Sequence, residues 1–310
     1  MAARKGGFPQ PILETRVMNC SRNWFVGALV AVAIGAGGML GAQAADYANP
    51  HLLVSTATLN EMLRRDDVRV IDVRPKADYD AGHIPGAVSI PADAVNDPNA
   101  HVEGARLPDD KLATLFGSRG IGKNTRVVFY DDNGGFHSAR LFWMLEYLGH
   151  RKAAILNGGI QKWTAEGHRL SLDQPKVRPA PFTPTLNERR IATADWLLER
   201  RNDPEVTLID VRPPAVRAKG YIPWARSIPW AQNLNADKTM KSADALLAHF
   251  ASHGVTPDRN IATHCQDGKA SGHSYFTLRL LGFQRIRSYD RSWAEWGADP
   301  DLPKATPAGG

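Results

Sequence analysis

Apolar positions along this chain come in short runs, set between longer stretches where apolar residues recur every three or four positions. "VIDV" from Val70, "RVVFY" from Arg126, "LIDV" from Leu208 and "NIATH" from Asn260 are continuous, β-rich and bounded by polar residues, as buried strands are. The segments at 109–120, "DDKLATLFGSRG", and 243–254, "ADALLAHFASHG", have helical spacing. Strands that alternate with helices predict an α/β fold. A parallel pair needs a crossover, and the crossover helix lands on a face of the sheet, so each sheet is expected to be covered on both faces. "SGHSYFTLRLLG", 271–282, predicts one more helix, with Ser271 as N-cap and Gly282 as its stop. Tyr275, Phe276, Leu278, Leu280 and Leu281 supply its apolar faces.

The pattern occurs twice. "VIDVRPKADYDAGHIPGAVSIP" from Val70 and "LIDVRPPAVRAKGYIPWARSIP" from Leu208 are identical at 13 of 22 positions without a gap. Residues 127–150 parallel 261–283, and "NGGIQKW" from Asn157 parallels "DRSWAEW" from Asp290. The period is too long for a solenoid and reads as a duplicated domain. The proline-rich stretch 175–184, "PKVRPAPFTP", reads as the linker between the copies.

The N-terminus has a different character. Trp24 to Leu40 is an uncharged apolar run, preceded by Arg16 and Arg22 and followed by Ala42 and Ala44 at the spacing of a small-residue cleavage site. That is the build of a secretory signal peptide; an uncleaved anchor is the alternative, for which the run is short and rich in glycine. Met18 offers a second start that gives a more conventional leader. The expected destination is the periplasm or the exterior, with no membrane attachment after cleavage. The formal net charge of +6 favours anions in general, but no nucleic-acid-binding motif or long basic run accompanies it, so nucleic acid is not an expected partner.

Removal of residues 1–44 leaves Cys265 as the lone cysteine and excludes an intramolecular disulfide. A lone thiol in an exported protein is a candidate reactive group. Cys265 falls after a strand and just before a helix, where open α/β sheets hold their sites. The turn at Gly268 can point successive N–H groups inward, and the helix N-terminus adds positive potential; both are expected to lower the thiol pKa and to hold an anionic sulfur. The plain alternative is a small buried residue before a turn. The first copy argues against it, because the matching position is Asp131 counted from the strand or Asp132 counted from the helix. A carboxylate is a poor packing substitute for a buried thiol, so a solvated pocket is expected in both copies.

The paired "IDVRP…G-[HY]-IP" segments, the loop opening "HCQ", "NGGIQKW" and "SWAEWG" together resemble tandem-domain rhodanese, the thiosulfate sulfurtransferase and 3-mercaptopyruvate sulfurtransferase family. The resemblance covers roughly 50 to 303. It implies two rhodanese-like domains, 50–172 and 187–303, joined by a linker 173–186 and followed by a tail 304–310, with the first domain catalytically silent. It implies a persulfide on Cys265, with sulfane sulfur taken from thiosulfate or a related donor and passed to a thiol or cyanide. Substrate binding then falls to Gln266, Asp267, Gly268, Lys269 and Ala270. No metal or cofactor is called for, and a monomer with a cleft between pseudo-symmetric halves is the default.

The chain departs from the family pattern in places. Asp267 stands where thiosulfate-preferring members often carry a basic residue, with Lys269 in the same turn to compensate. The expected substrate-binding arginine position is Val216, with Arg217 one later as the candidate. The second Gly-x-Ile-Pro turn reads "GYIPWA". Asp72, Arg74, Asp210 and Arg212 recur in both copies and read as structural ion pairs. His264 reads as packed against the sheet, and Trp293 and Trp296 as closing the core behind the loop. His83 and His273 are candidates to face the cleft. A phosphatase or arsenate reductase would need an arginine at position 271, which is Ser271. A mercaptopyruvate donor and a non-catalytic binding module are the remaining alternatives.

Overall fold

In the computed structural model, which describes residues 46–307, each copy of the repeat builds one parallel sheet. The signal-peptide segment lies outside the described residues. The first copy contains β1 (Leu53–Val54), α1 (Thr56–Met62), β2 (Val68–Asp72), α2 (Lys76–Ala81), β3 (Val88–Ser89), α3 (Asp109–Ser118), β4 (Arg126–Tyr130), α4 (Ser138–Tyr147), β5 (Ala153–Leu156) and α5 (Gly159–Ala165). The second contains α6 (Ala194–Glu199), β6 (Val206–Asp210), α7 (Pro214–Arg217), β7 (Arg226–Ser227), α8 (Ala243–Ser252), β8 (Asn260–His264), α9 (Lys269–Leu280), β9 (Ile286–Ser288) and α10 (Ser292–Trp296). Strand order is β1-β5-β4-β2-β3 in the first sheet and β7-β6-β8-β9 in the second. The pairings Asp72↔Tyr130 and Asp210↔His264 put the two copies in one register.

Side chains alternate across each sheet, and both faces are dry. Val127 and Phe129 of β4 enter the core between the copies, whereas Val128 and Tyr130 enter the outer core of the first copy. Ile261 and Ala262 of β8 divide in the same way. Strands buried on both faces read as the continuous apolar runs seen in the sequence.

The core between the copies is organised by α4 and α9. Nearly every residue of both helices is buried, as expected of helices that lie between two sheets instead of on a surface. Their backbones touch: a Cβ on Gly272 would sit 2.7 Å from Arg140 Cα. Phe142 and Phe276 meet edge to face at 5.0 Å. Glu146 accepts from Tyr275 Oη at 2.6 Å and from Arg279 Nε at 3.0 Å.

The helix after β8 begins earlier than its sequence pattern predicts. It starts at Lys269, with Gly268 at φ +84° in the cap position. Ser271 is not the N-cap; it lies in the first turn, and its hydroxyl donates to the Gly268 carbonyl at 2.9 Å. The left-handed glycine does the turning that the serine was expected to do. The segment 172–187 carries no helix or strand. It is nonetheless laid along the first copy, with Ala180 N–H donating to Gly117 O and Thr185 N–H to Leu148 O.

Candidate active site

Cys265 leaves β8 at its carboxyl end, and α9 begins four residues later. The loop between is fixed at several points. The Cys265 N–H donates to Ser292 Oγ at 3.0 Å, and its carbonyl accepts from Trp293 N–H at 3.1 Å. The Gln266 carbonyl accepts from Ala294 N–H at 2.8 Å. Gly268 lies against Asp290 so closely that a Cβ there would fall 2.3 Å from the Asp290 carbonyl oxygen. Together the first turn of α10 and the residues before it form the back wall of the cysteine loop.

The thiol itself is buried, at 2 % exposure. Burial pushes its pKa up, and the Asp267 carboxylate pushes the same way; the Ser271 and Asp267 N–H groups and the Ser292 hydroxyl oppose them without prevailing. The expectation of a lowered thiol pKa is therefore corrected for the resting protein. The amides do converge on sulfur, but desolvation of a thiolate costs more than they return.

The first copy shows what such a cradle holds. The strand register makes Asp131, not Asp132, the counterpart of Cys265. Asp131 Oδ1 accepts from the N–H groups of Asn133 and Gly135 at 2.9 and 2.8 Å, and Oδ2 from those of His137 and Ser138, each at 2.9 Å. The carboxylate is 1 % exposed, so the expected solvated pocket is not there. Four backbone donors satisfy the carboxyl oxygens in place of water.

The recurring Asp-x-Arg pairs lie one layer behind. Asp210 and Arg212 are buried and joined at 2.6 Å, as are Asp72 and Arg74. Each arginine also donates to a carbonyl in the Gly-x-Ile-Pro turn, Gly220 O at 2.8 Å and Gly82 O at 2.7 Å. In the second copy the arginine does more. Its Nη1 lies 3.4 Å from Gln266 Oε1 and its guanidinium stacks over Trp293 at 4.8 Å, so it reaches the cysteine loop directly. Burial alone would raise the Asp210 carboxyl, but His264 and Arg212 outweigh it and hold it below the ordinary value.

The other expected residues separate. Gln266 is exposed at the mouth of the loop, Asp267 and Lys269 are half-buried and paired with each other, and Gly268 and Ala270 are buried. Lys269 thus answers Asp267, as its place in the turn suggested. Arg217 does not join them: it donates to Ala225 O at 3.2 Å, lies 3.6 Å from Asp210 Oδ2 and sits over the Tyr221 ring. His264 is fully buried in the sheet, 3.7 Å from Asp210, with its pKa pushed by burial down to about 4. His83 is held by the carbonyls of Tyr79 in the first copy and of Asp173 at the start of the linker. His273 does face the other copy, donating to Gly134 O at 3.1 Å. Trp296 is in the core, and Trp293 packs partly buried against it.

Ser292 was not singled out from the sequence. It is one of two non-glycine residues at positive φ among those described, at +53°, and its counterpart Gly159 has φ +59°. A serine held where the duplicated position uses glycine is strained. Here the strain places its Oγ on the Cys265 N–H and 3.9 Å from Sγ. Aligning the two copies residue by residue carries that signal.

A family model for the rhodanese-like domain matches residues 55–166 and 193–299. The chain belongs to the rhodanese family, and it is an enzyme of the sulfurtransferase class. It is 37% identical over 282 residues to the sulfur carrier protein TtuD of Thermus thermophilus, covering 84% of this chain and 98% of that one. It is 31% identical over 266 residues to a thiosulfate sulfurtransferase of Azotobacter vinelandii, covering 83% and 98%. Among solved structures it is similar to a 3-mercaptopyruvate sulfotransferase, SseA of Escherichia coli, with TM-score 0.72, 25% identity, and 78% and 98% coverage.

Proposed function

We propose that this protein is an exported sulfurtransferase that carries sulfane sulfur on Cys265, taking it from thiosulfate and passing it to a thiol or cyanide. The Cys265 thiolate attacks the outer sulfur of thiosulfate. The S–S bond of the donor breaks, sulfite leaves with the electron pair, and Cys265 holds a persulfide whose terminal sulfur is anionic. A nucleophilic acceptor then attacks that terminal sulfur and the Cys265 thiolate leaves.

One observation carries this reading: loop N–H groups converge on a carboxylate in the first copy and, from Asp267 and Ser271, on a sulfur at the matching position in the second. A cradle built for an anion favours the charged states of the cycle over the resting thiol. The thiosulfate sulfurtransferases among the relatives support the choice of donor. Export is supported by the apolar run Trp24 to Leu40 and the small residues Ala42 and Ala44.

The test is intact mass spectrometry of protein recovered from the exported fraction, before and after thiosulfate and then cyanide. The expected result is a mass lacking about the first 44 residues, one added sulfur mapped to Cys265, and its loss to cyanide. Sulfur uptake only from mercaptopyruvate would reassign the donor. No uptake from either donor by a reduced thiol would overturn the sulfur-transfer reading.

A further inference from the structure

One buried cation of the silent copy reaches the active one beside the cysteine loop. Arg140, in the first turn of α4, is 1 % exposed, and its guanidinium spans both copies. Toward the second copy, Nη2 and Nε lie 3.1 and 3.3 Å from Asp290 Oδ1. Toward the first, Nη1 donates to Asn96 Oδ1 at 2.7 Å and Nη2 to the Gly104 carbonyl. Asn96 and Gly104 belong to the excursion between β3 and α3.

Both ends of this bridge press on the cysteine loop. Asp290, itself 3 % exposed, is the residue against which Gly268 lies, its Oδ1 2.5 Å from where a Gly268 Cβ would be. Gly104 lies against the preceding residue of the loop: a Cβ there would be 2.8 Å from Asp267 Cβ. Asp290 is also two residues before Ser292, whose hydroxyl takes the Cys265 N–H. Arg140 therefore clamps the two walls between which 265–268 is held, and Gly272 lets α9 approach Arg140 closely enough for the clamp to close.

We infer that Arg140, supplied by the catalytically silent domain, is a positioning residue for sulfur transfer: through Asp290 and Gly104 it fixes the loop that aims backbone N–H groups at Cys265. The inference rests on the sulfur-transfer reading of Cys265. Arg140 touches no reacting atom. Its five donors in a planar fork suit one carboxylate and two oxygens in different directions, which a lysine cannot reproduce. A buried carboxylate left without its arginine is strongly unfavourable, so the two charges stand or fall together.

The experiment uses the full chain and three variants: Arg140→Lys, which keeps a cation beside Asp290; Arg140→Met; and the double variant Arg140→Met with Asp290→Asn, which removes both buried charges and keeps the shapes. Folding is checked by circular dichroism and urea unfolding. Two readouts follow for each variant that folds: the rate of iodoacetamide alkylation of Cys265 against pH, which needs no sulfur donor, and the rate of sulfur uptake from thiosulfate. The expected result is an alkylation profile displaced to higher pH and sulfur uptake slower by roughly tenfold to a hundredfold, as for a misplaced reacting group. A purely structural arginine would change the urea midpoint and leave the alkylation profile of the folded protein where it was. A folded variant with wild-type profile and uptake overturns the inference, as does failure of all three to fold, which would make Arg140 a folding residue. If the wild-type protein takes up no sulfur while the variants still shift the alkylation profile, it is the sulfur-transfer reading that fails and not the bridge.

Discussion

The loops after β4 and β8 share a backbone plan and differ in what they hold. In the first copy Asp131 fills the cradle with its own carboxylate, and all four donors are satisfied within the chain. In the second, a thiol occupies the same place, buried and pushed toward its neutral form. The first loop is a finished structure, whereas the second reaches the charge its geometry suits only when the sulfur is ionised. The first copy thus fills with a carboxylate the place that, in the proposed cycle, an ionised sulfur takes in the second.

Placing serine at each position puts the comparison to its largest test. Cys265→Ser is expected to lower sulfur transfer by about four orders of magnitude or more, measured as thiocyanate formed from thiosulfate and cyanide, with the fold retained. Asp131→Ser is expected to leave the folded enzyme within a few-fold of wild type and to lower stability by roughly 2–4 kcal/mol, because a satisfied buried anion is exchanged for orphaned amides. An unchanged urea midpoint for Asp131→Ser would mean that the cradle does not demand an anion.

A smaller change sharpens the difference between the loops. Asp267 raises the Cys265 thiol, second only to burial, and Lys269 is tied to it. Asp267→Asn removes that push and frees the lysine. The thiol pKa should fall, so alkylation at neutral pH should rise by roughly three- to tenfold. A profile that stays in place would assign the raised pKa to burial alone.

A last effect, on stability and not on reactivity, concerns the histidines of the second copy. His264 and His273 are both fully buried and held near 4 by burial, against an ordinary value of 6.5. Between those values the unfolded chain binds protons that the folded chain refuses, so unfolding becomes easier as pH falls. Each histidine should cost on the order of 1–2 kcal/mol at about pH 5 relative to pH 7. Urea midpoints at the two pH values check the sum, and His273→Gln should remove part of the slope. Tyr130, the first-copy counterpart of His264, bonds Asp72 and has no part in it.

Much of this was legible in the chain. The short strands "RVVFY" and "NIATH" stand where their apolar runs put them, because a strand buried on both faces leaves no polar position to blur its limits. The duplication pointed to Cys265 by contrast with an aspartate. What was not legible depended on desolvation and on backbone geometry. The direction of the thiol pKa is set by how dry the site is. Asp131 passed for a solvent-facing group because its amide partners are backbone, which side-chain patterns do not report. Arg217, one residue past the expected spacing of a substrate arginine, is engaged by Asp210 and the Tyr221 ring, contacts that the spacing does not report. Arg140 and Asp290 are 150 residues apart and share no motif.

The close approach of α4 and α9 at Gly272 has a consequence for how the molecule comes apart. One apolar cluster runs from Ile71 and Phe129 of the first sheet through both helices to Ile209 and Ile286 of the second. Neither half owns that cluster, so neither can melt alone without stripping the other of its inner wall. The two repeats should therefore denature in one cooperative transition, with a single calorimetric peak. A chain cut within 172–187 should yield two sticky fragments, not two small proteins.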